Sequence, residues 1–374
     1  MCSGQSFILN KYNYTLVSAK TVKLPSIIKD CPEHTKIGKE MIKIWKEEGI
    51  FQVKLENDKQ EKIMQNALAQ TKKFFGDYSL EQKRSFVSKY TYSGYTGSLE
   101  EVTGIYKDTP EVFTIFEDVS TNDERFKKKY PIHGPVPWPF NDFKLAYEEY
   151  INMILGLGNR VLQLISLGLN LERMDILLDI THNGCYNLRI LKYPQAKNGE
   201  FRGVGAHSDY GFLSLGNQTS EGILIRPPIE GEVRGKNWIK GLSGKYDEEE
   251  PWNMVKCESD GITVYPGDMF QLLTNGYIMP TIHKVIMNPN EERFSTAFFH
   301  EPNFDATLVP LMGDSKEDHF HFGTHVTNMY VANCPNRITT KYLKESGGYE
   351  MLKALADKSY NEMKKNESMN TKKL

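Results

Sequence analysis

The stretch PTIHKVIMNPNEERFSTAFF, residues 280–299, holds two short apolar-rich runs on either side of an Asn288-Pro289-Asn290 breaker. Its period is two and the breaker stands where a reversal is needed, so it reads as two strands, over 281–287 and 294–299. The same grammar extends back to 188, giving strands at 188–193, 211–215, 223–226, 261–265 and 269–273, divided by Pro227-Pro228 and Pro266-Gly267-Asp268. Many short strands at such spacing predict a sandwich or barrel. Upstream the period lengthens. Ile37, Met41, Ile42 and Trp45 predict a helix ending at Glu48 with Gly49 as its stop, followed by a strand over 50–55. A second helix is expected from Asp58 to Phe75, closed by Gly76. The longest helical pattern, 140–171, carries Leu145, Ile151, Ile154, Val161, Leu164 and Ile165 on one side. Beyond Ile338 a last helix leads into a lysine-rich segment over 352–374, expected to be a solvated, frayed tail. The fold class is α+β, mainly β, with flanking helices.

Length and charge narrow the function. The chain has 374 residues, 46 Lys and Arg against 48 Asp and Glu, and a net charge of −2, so no global field draws it to nucleic acid or anionic lipid. Cys2, Cys31, Cys185, Cys257 and Cys334 are scattered and contain no Cys-x-x-Cys pair, which argues against a disulfide framework or zinc ribbon and fits a reducing compartment. Phe7-Ile8-Leu9 is too short for a signal-peptide core, and the apolar stretch 151–169 is interrupted by Asn152, Asn159, Arg160 and Gln163. A cytoplasmic monomer acting on small molecules, with no membrane or nucleic-acid partner, is expected.

His207-Ser208-Asp209 is the first feature that packing does not predict. In a strand, residues two apart share a face, so an imidazole and a carboxylate can meet at one point. Alone, His-x-Asp arises by chance. His283 follows 74 residues after Asp209 (283 − 209), in an apolar-flanked strand. Two histidines and one carboxylate make the facial triad of non-haem Fe(II) oxygenases, which leaves coordination positions open for oxygen chemistry. Ten residues further comes Arg293-Phe294-Ser295, and alternation puts Arg293, Ser295, Ala297 and Phe299 on one face of their strand. A buried guanidinium beside a hydroxyl is a carboxylate receptor, suited to the distal end of a dicarboxylic 2-oxo acid. A jelly roll that merely binds zinc is the rival from another class, and Arg293 and Ser295 argue against it. His319, His321 and His325 look metal-like but have no acid nearby, and His300-Glu301-Pro302 reads as a strand end.

The chain resembles the isopenicillin N synthase-like Fe(II)/2-oxoglutarate dioxygenases, in particular the branch that forms ethylene. The likeness runs from about Ile37 to Thr340, through the blocks at 49–52, 91–95, 100–103, 133–139, 205–211, 225–228, 299–304 and 337–340. It implies one dioxygenase domain over 1–374: a mostly helical part to about 180, a distorted double-stranded β-helix over about 181–310, and a helical segment with a tail over about 311–374. It further implies His207, Asp209 and His283 as iron ligands and Arg293 as partner of the distal carboxylate of 2-oxoglutarate. Arg189 falls near the iron-bound end of 2-oxoglutarate, while Phe299 and Ala297 line its pocket with Ser295. Glu101, Thr103 and Tyr210 match residues that hold the guanidinium of L-arginine. The expected cofactors are Fe(II), 2-oxoglutarate as co-substrate and ascorbate as assay reductant. The expected outcomes are ethylene and CO2 from 2-oxoglutarate, and succinate coupled to hydroxylation of L-arginine. One departure bears on the substrate: four residues after Asn328, where the family places an arginine for the substrate's carboxylate, stands Ala332. Asn333 and Arg337 are candidates for compensation, and a different amino acid or small amine is the alternative substrate.

Overall fold

The structure, a computed structural model, describes residues 14–371 apart from 182–184, 198, 233, 239–240, 242 and 314–319. Cys2, Phe7-Ile8-Leu9 and His319 lie outside the described residues. In chain order the strands are β1 (Thr15–Val17), β2 (Phe51–Lys54), β3 (Gly94–Thr96), β4 (Val102–Thr103), β5 (Tyr106–Lys107), β6 (Glu111–Phe116), β7 (Asn187–Tyr193) and β8 (Arg202–His207). They continue as β9 (Leu213–Gln218), β10 (Ile223–Ile225), β11 (Asn253–Val255), β12 (Gly261–Pro266), β13 (His283–Ile286), β14 (Arg293–His300), β15 (Thr307–Leu308) and β16 (Phe320–His321). The helices used below are α1 (Pro32–Glu48), α2 (Asp58–Asp77), α3 (Asn141–Gly168), α4 (Asp268–Leu273), α5 (Phe322–Asn333), α6 (Ile338–Glu345) and α7 (Gly348–Thr371).

Seven strands in the order β2-β12-β9-β14-β7-β6-β3 form the larger sheet, and five in the order β1-β11-β10-β13-β8 form the smaller. Val112, Leu191 and Tyr193 of the larger sheet pack with Val285 of the smaller, so the two face each other as a jelly-roll sandwich. The N-terminal part therefore supplies strands β2, β3 and β6 to the core as well as helices. On the opposite face of the larger sheet lie α1, α2 and α3. Trp45 Nε1 donates to Val264 O at 3.1 Å, and Phe298 is fully buried in the same cluster as Tyr147, Tyr150 and Ile154 of α3. Where α1 crosses α3 the backbones nearly touch: a Cβ at Gly38 would stand 1.9 Å from Leu164 O.

Four expectations fail for physical reasons. Residues 269–273 form helix α4, not a strand; all six residues of α4 are buried, and a fully buried apolar run shows no periodicity to separate the two. Gly76 lies inside α2, which ends at Asp77. Leu145 is 53 % exposed, on the outer side of α3. The supposed tail is helix α7, anchored by buried Leu352 and Leu355 and by a 2.7 Å bond from Thr307 Oγ1 to Ser359. Among the described residues α3 is also long and apolar enough to cross a membrane, but its apolar side packs into the core.

Candidate active site

Pairing of the smaller sheet creates the centre of the cavity. His283 opens β13 directly opposite His207, the last residue of β8, and their ring centres lie 4.3 Å apart. Strand geometry ends there, so Asp209 is positioned by its turn rather than by alternation. Its carbonyl accepts the Asp268 N–H at 2.9 Å, and its Oδ2 accepts the Ser214 hydroxyl at 2.5 Å. Asp209 Oδ1 then stands 3.6 Å from His207 Nε2 and 3.7 Å from His283 Nε2. These separations are too long for hydrogen bonds but suit atoms sharing one ion, since two ligands each about 2.1 Å from a metal are roughly 3–4 Å apart.

The tautomers fit as well. His207 Nδ1 bonds Gly205 O at 2.8 Å and His283 Nδ1 bonds Thr281 O at 3.1 Å. A carbonyl only accepts, so each Nδ1 carries the proton and each Nε2 presents its lone pair to the centre. Burial, then the neighbouring His283, push His207 down to about 4, which keeps it a neutral ligand. Among the described residues these three form the only group of three or more His, Cys, Asp or Glu able to hold a metal.

A cavity of about 130 Å³ opens from this centre between the sheets. Arg293, 2 % exposed, lies at one end, its guanidinium 4.8 Å from the centre of the Tyr193 ring. It donates from Nε to Ser220 O at 3.0 Å, from Nη2 to Gln218 Oε1 at 2.7 Å and from Nη1 toward Ser295 Oγ at 3.4 Å. Burial lowers its pKa from the ordinary arginine value, though a guanidinium remains charged. Ser295, Ala297 and Phe299 follow Arg293 along the cavity wall. On the neighbouring strand β7, Arg189, Leu191 and Tyr193 share the lining, and Arg189 pairs in register with Ala297.

Glu101, Thr103 and Tyr210 reach the same cavity, each with a partner inside the protein. Arg189 Nη2 forms a short ion pair with Glu101 Oε2, both side chains largely buried. Burial pulls the Arg189 guanidinium down, but Glu101 outweighs it and holds the pKa above its ordinary value. Thr103 Oγ1 donates to Asp108 Oδ2 at 2.6 Å, and Asn333 Nδ2 donates to the Tyr210 hydroxyl. Ala332 is exposed and absent from the lining, whereas Asn333 belongs to it. Arg337 is committed elsewhere: it donates to the carbonyls of Tyr92, Ser93 and Tyr95 and to Thr96 Oγ1, and so clamps that segment.

Two lining acids escape sequence reasoning. Asp108 accepts the Gly205 N–H at 3.3 Å, and burial raises its pKa. Glu301, just beyond β14, is 3 % exposed and is pushed up to about 8 by burial and then by Asp209. Neither carries a sequence signal: Glu301 stands in the mixed run Phe298-Phe299-His300-Glu301-Pro302-Asn303-Phe304, and Asp108 has no distinguishing spacing. His321 and His325 are buried and pushed down to about 4 by burial; His321 Nδ1 accepts the Thr324 N–H at 3.1 Å and caps α5.

The family profile described as non-haem dioxygenase in morphine synthesis N-terminal matches residues 21–141, and that of the 2OG-Fe(II) oxygenase superfamily matches residues 183–302. The chain is 41 % identical to a 2-oxoglutarate-dependent ethylene/succinate-forming enzyme of Ralstonia nicotianae, over 90 % of this chain and 98 % of that one. It is 31 % identical to a homoarginine-6-hydroxylase of Arabidopsis thaliana over 64 % of this chain and 69 % of that one. Among solved structures, a putative 2OG-Fe(II) oxygenase family protein of Caulobacter crescentus superposes with a TM-score of 0.65 at 19 % identity, covering 83 % of this chain and 97 % of that one. A full-length Neurospora crassa protein in complex with alpha-KG and 5-formyluracil gives 0.63 at 19 %, covering 80 % and 91 %. At such identity these two speak for the fold alone.

Proposed function

The chain belongs to the 2OG-Fe(II) oxygenase superfamily and is a 2-oxoglutarate-dependent dioxygenase, and on that premise we propose that it converts 2-oxoglutarate to ethylene and CO2, and to succinate with coupled hydroxylation of L-arginine. His207, Asp209 and His283 are the residues that would hold Fe(II). When bound, the ion supplies O2 activation and oxidative decarboxylation of the 2-oxo acid. The residues of this chain bind and orient. Arg293 and Ser295 take the distal carboxylate through charge-assisted bonds, with Gln218 and Ser220 O holding the guanidinium in place. The register pairs Arg293↔Tyr193 and Ala297↔Arg189 lie four residues apart on β14, about 13 Å at 3.3 Å per residue, so two arginines bracket a diacid laid along the strand. Leu191, Ala297 and Phe299 give it apolar walls that exclude water. Glu101 and Asp108 offer carboxylates to the cationic end of an amino acid.

The observation that carries the reading is the pairing, in one cavity, of a buried guanidinium receptor for a diacid with two carboxylates for a cation. A second reading, hydroxylation of another amino acid or small amine without ethylene, is favoured by one observation: exposed Ala332 offers nothing to the substrate's carboxylate, and Arg337 is occupied. The test is headspace gas and amino-acid analysis of purified protein with Fe(II), ascorbate and 2-oxoglutarate, with and without L-arginine. Ethylene together with hydroxylated arginine supports the first reading. Succinate without ethylene, and L-arginine left intact, moves the assignment to the second, and Ala332→Arg then shows whether that position limits arginine use.

A further inference from the structure

The turn that carries Asp209 runs from the end of β8 to the start of β9 and is gripped by backbone and by side chains. Three successive N–H groups at the start of α4 donate to its carbonyls: Gly267 to Phe212 O at 3.0 Å, Asp268 to Asp209 O at 2.9 Å and Met269 to Gly211 O at 2.9 Å. Side chains grip it as well: the Ser214 hydroxyl holds Asp209 Oδ2 directly, and Glu301 holds the backbone. Glu301 Oε2 accepts the Phe212 N–H at 3.2 Å. The carboxyl lies so close to the turn that a Cβ on Gly211 would stand 1.4 Å from Glu301 Oε2 and 2.1 Å from its Cδ. Gly211 has no positive φ. The backbone there would accept any residue, so what the glycine supplies is the space the carboxyl fills.

We propose that Glu301 is a positioning residue for Asp209, acting beside the direct bond from Ser214: seated in the notch left by Gly211, it props the turn and helps fix where Asp209 Oδ1 stands relative to the two imidazoles. The inference rests on the reading of His207, Asp209 and His283 as a metal site. Two features agree with it. Glu301 lines the same cavity as the trio, and it is nearly fully buried. A residue that acts only through a ligand alters metal affinity and ligand geometry rather than contacting substrate.

The test is Mn(II) affinity, read from the free-ion electron paramagnetic resonance signal, alongside the thermal midpoint, for Glu301→Ala, Glu301→Gln, Gly211→Ala, the double variant Gly211→Ala/Glu301→Ala, and His283→Ala as reference. Outer partners of metal ligands typically change affinity about 10- to 100-fold. Glu301→Ala and Gly211→Ala should each weaken Mn(II) binding within that range. Glu301→Gln, whose amide carbonyl can accept the same N–H, should stay within about threefold of wild type. In the double variant the added methyl meets an empty notch, so its loss should match that of Glu301→Ala alone and not the product of the two. If Glu301→Ala fails to fold, Gly211→Ala and Glu301→Gln still decide. Wild-type affinity in Gly211→Ala, or a loss in Glu301→Gln equal to that of the alanine variant, overturns the proposal. Should His283→Ala bind Mn(II) as wild type does, the metal-site reading itself fails, an outcome distinct from a silent Glu301→Ala.

Discussion

Arg189→Gln is the most informative single change, because Arg189 and Glu101 neutralise each other inside the cavity before any substrate arrives. On the proposed function, a cationic amino acid needs Glu101, and a 2-oxo acid carboxylate draws on Arg189. Either ligand alone breaks the pair and leaves one buried charge without a partner; both together restore two pairs. Breaking a buried pair from one side costs about 3–5 kcal/mol, and coupling energies between two sites run about 1–3 kcal/mol, or 5- to 150-fold in affinity. The assay is titration calorimetry on the Mn(II)-loaded protein, in which no turnover occurs. L-arginine should bind at least tenfold more tightly with saturating 2-oxoglutarate than without, and reciprocity requires the same factor for 2-oxoglutarate with L-arginine. In Arg189→Gln the coupling should fall below about twofold. The variant should also lose thermal stability. With about 2.1 cal/mol/K of unfolding entropy per residue, 3–5 kcal/mol over 374 residues is roughly 4–6 °C. Equal affinity for L-arginine with and without 2-oxoglutarate in the wild type, or full coupling in Arg189→Gln, would refute the reasoning.

Arg293→Lys keeps the charge but loses the fork that reaches Gln218 and Ser220 O; KM for 2-oxoglutarate should rise about 10- to 100-fold, measured by oxygen uptake. Gly38→Ala forces a methyl to within 1.9 Å of Leu164 O where α1 crosses α3, and should cost about 1–3 kcal/mol in urea unfolding with the metal site unchanged. Stability of the metal-free protein should fall as pH rises from about 7 to 8, above the range in which His207, His321 and His325, pushed down to about 4, make stability rise with pH. Glu301 and Asp268, pushed up to about 8 and about 7, keep their protons in the fold after the unfolded chain has released them. The folded state therefore binds more protons across that window, and each acid contributes a slope of up to about 1.4 kcal/mol per pH unit. Glu301→Gln should flatten the profile; an unchanged slope speaks against a neutral buried acid at 301.

What can be read from the chain is whatever depends on period and spacing. The strand alternation around Arg293 places Arg293, Ser295, Ala297 and Phe299 on the cavity wall and Phe298 against the helices, as period two requires. The helix over 37–48 and its Gly49 stop are equally local, the glycine taking a φ of 82°. Residues whose role is set by distant chain cannot be read. All six residues of helix α4 are buried, so no contrast between a wet and a dry face marks it as a helix. Arg337 looks free to serve a substrate, yet the carbonyls of Tyr92, Ser93 and Tyr95, far away in sequence, occupy it. Glu101 is legible as a cavity residue only through the family resemblance, and its pairing with Arg189 of β7, distant in the chain, is not legible at all. Asp108 and Glu301 are ordinary acids by sequence, and only enclosure by both sheets makes them unusual.

His207 and His283 close one rung of the smaller sheet, on strands joined only through a long excursion of chain. An ion gripped by both acts as a clasp across that rung, and anything that binds the folded state alone adds RT ln(1 + [L]/Kd), about 2.7 kcal/mol at a hundredfold excess over Kd. A bound ion would therefore contribute to the stability of the fold as well as to turnover, tying β8 to β13 at the rung where the two imidazoles meet.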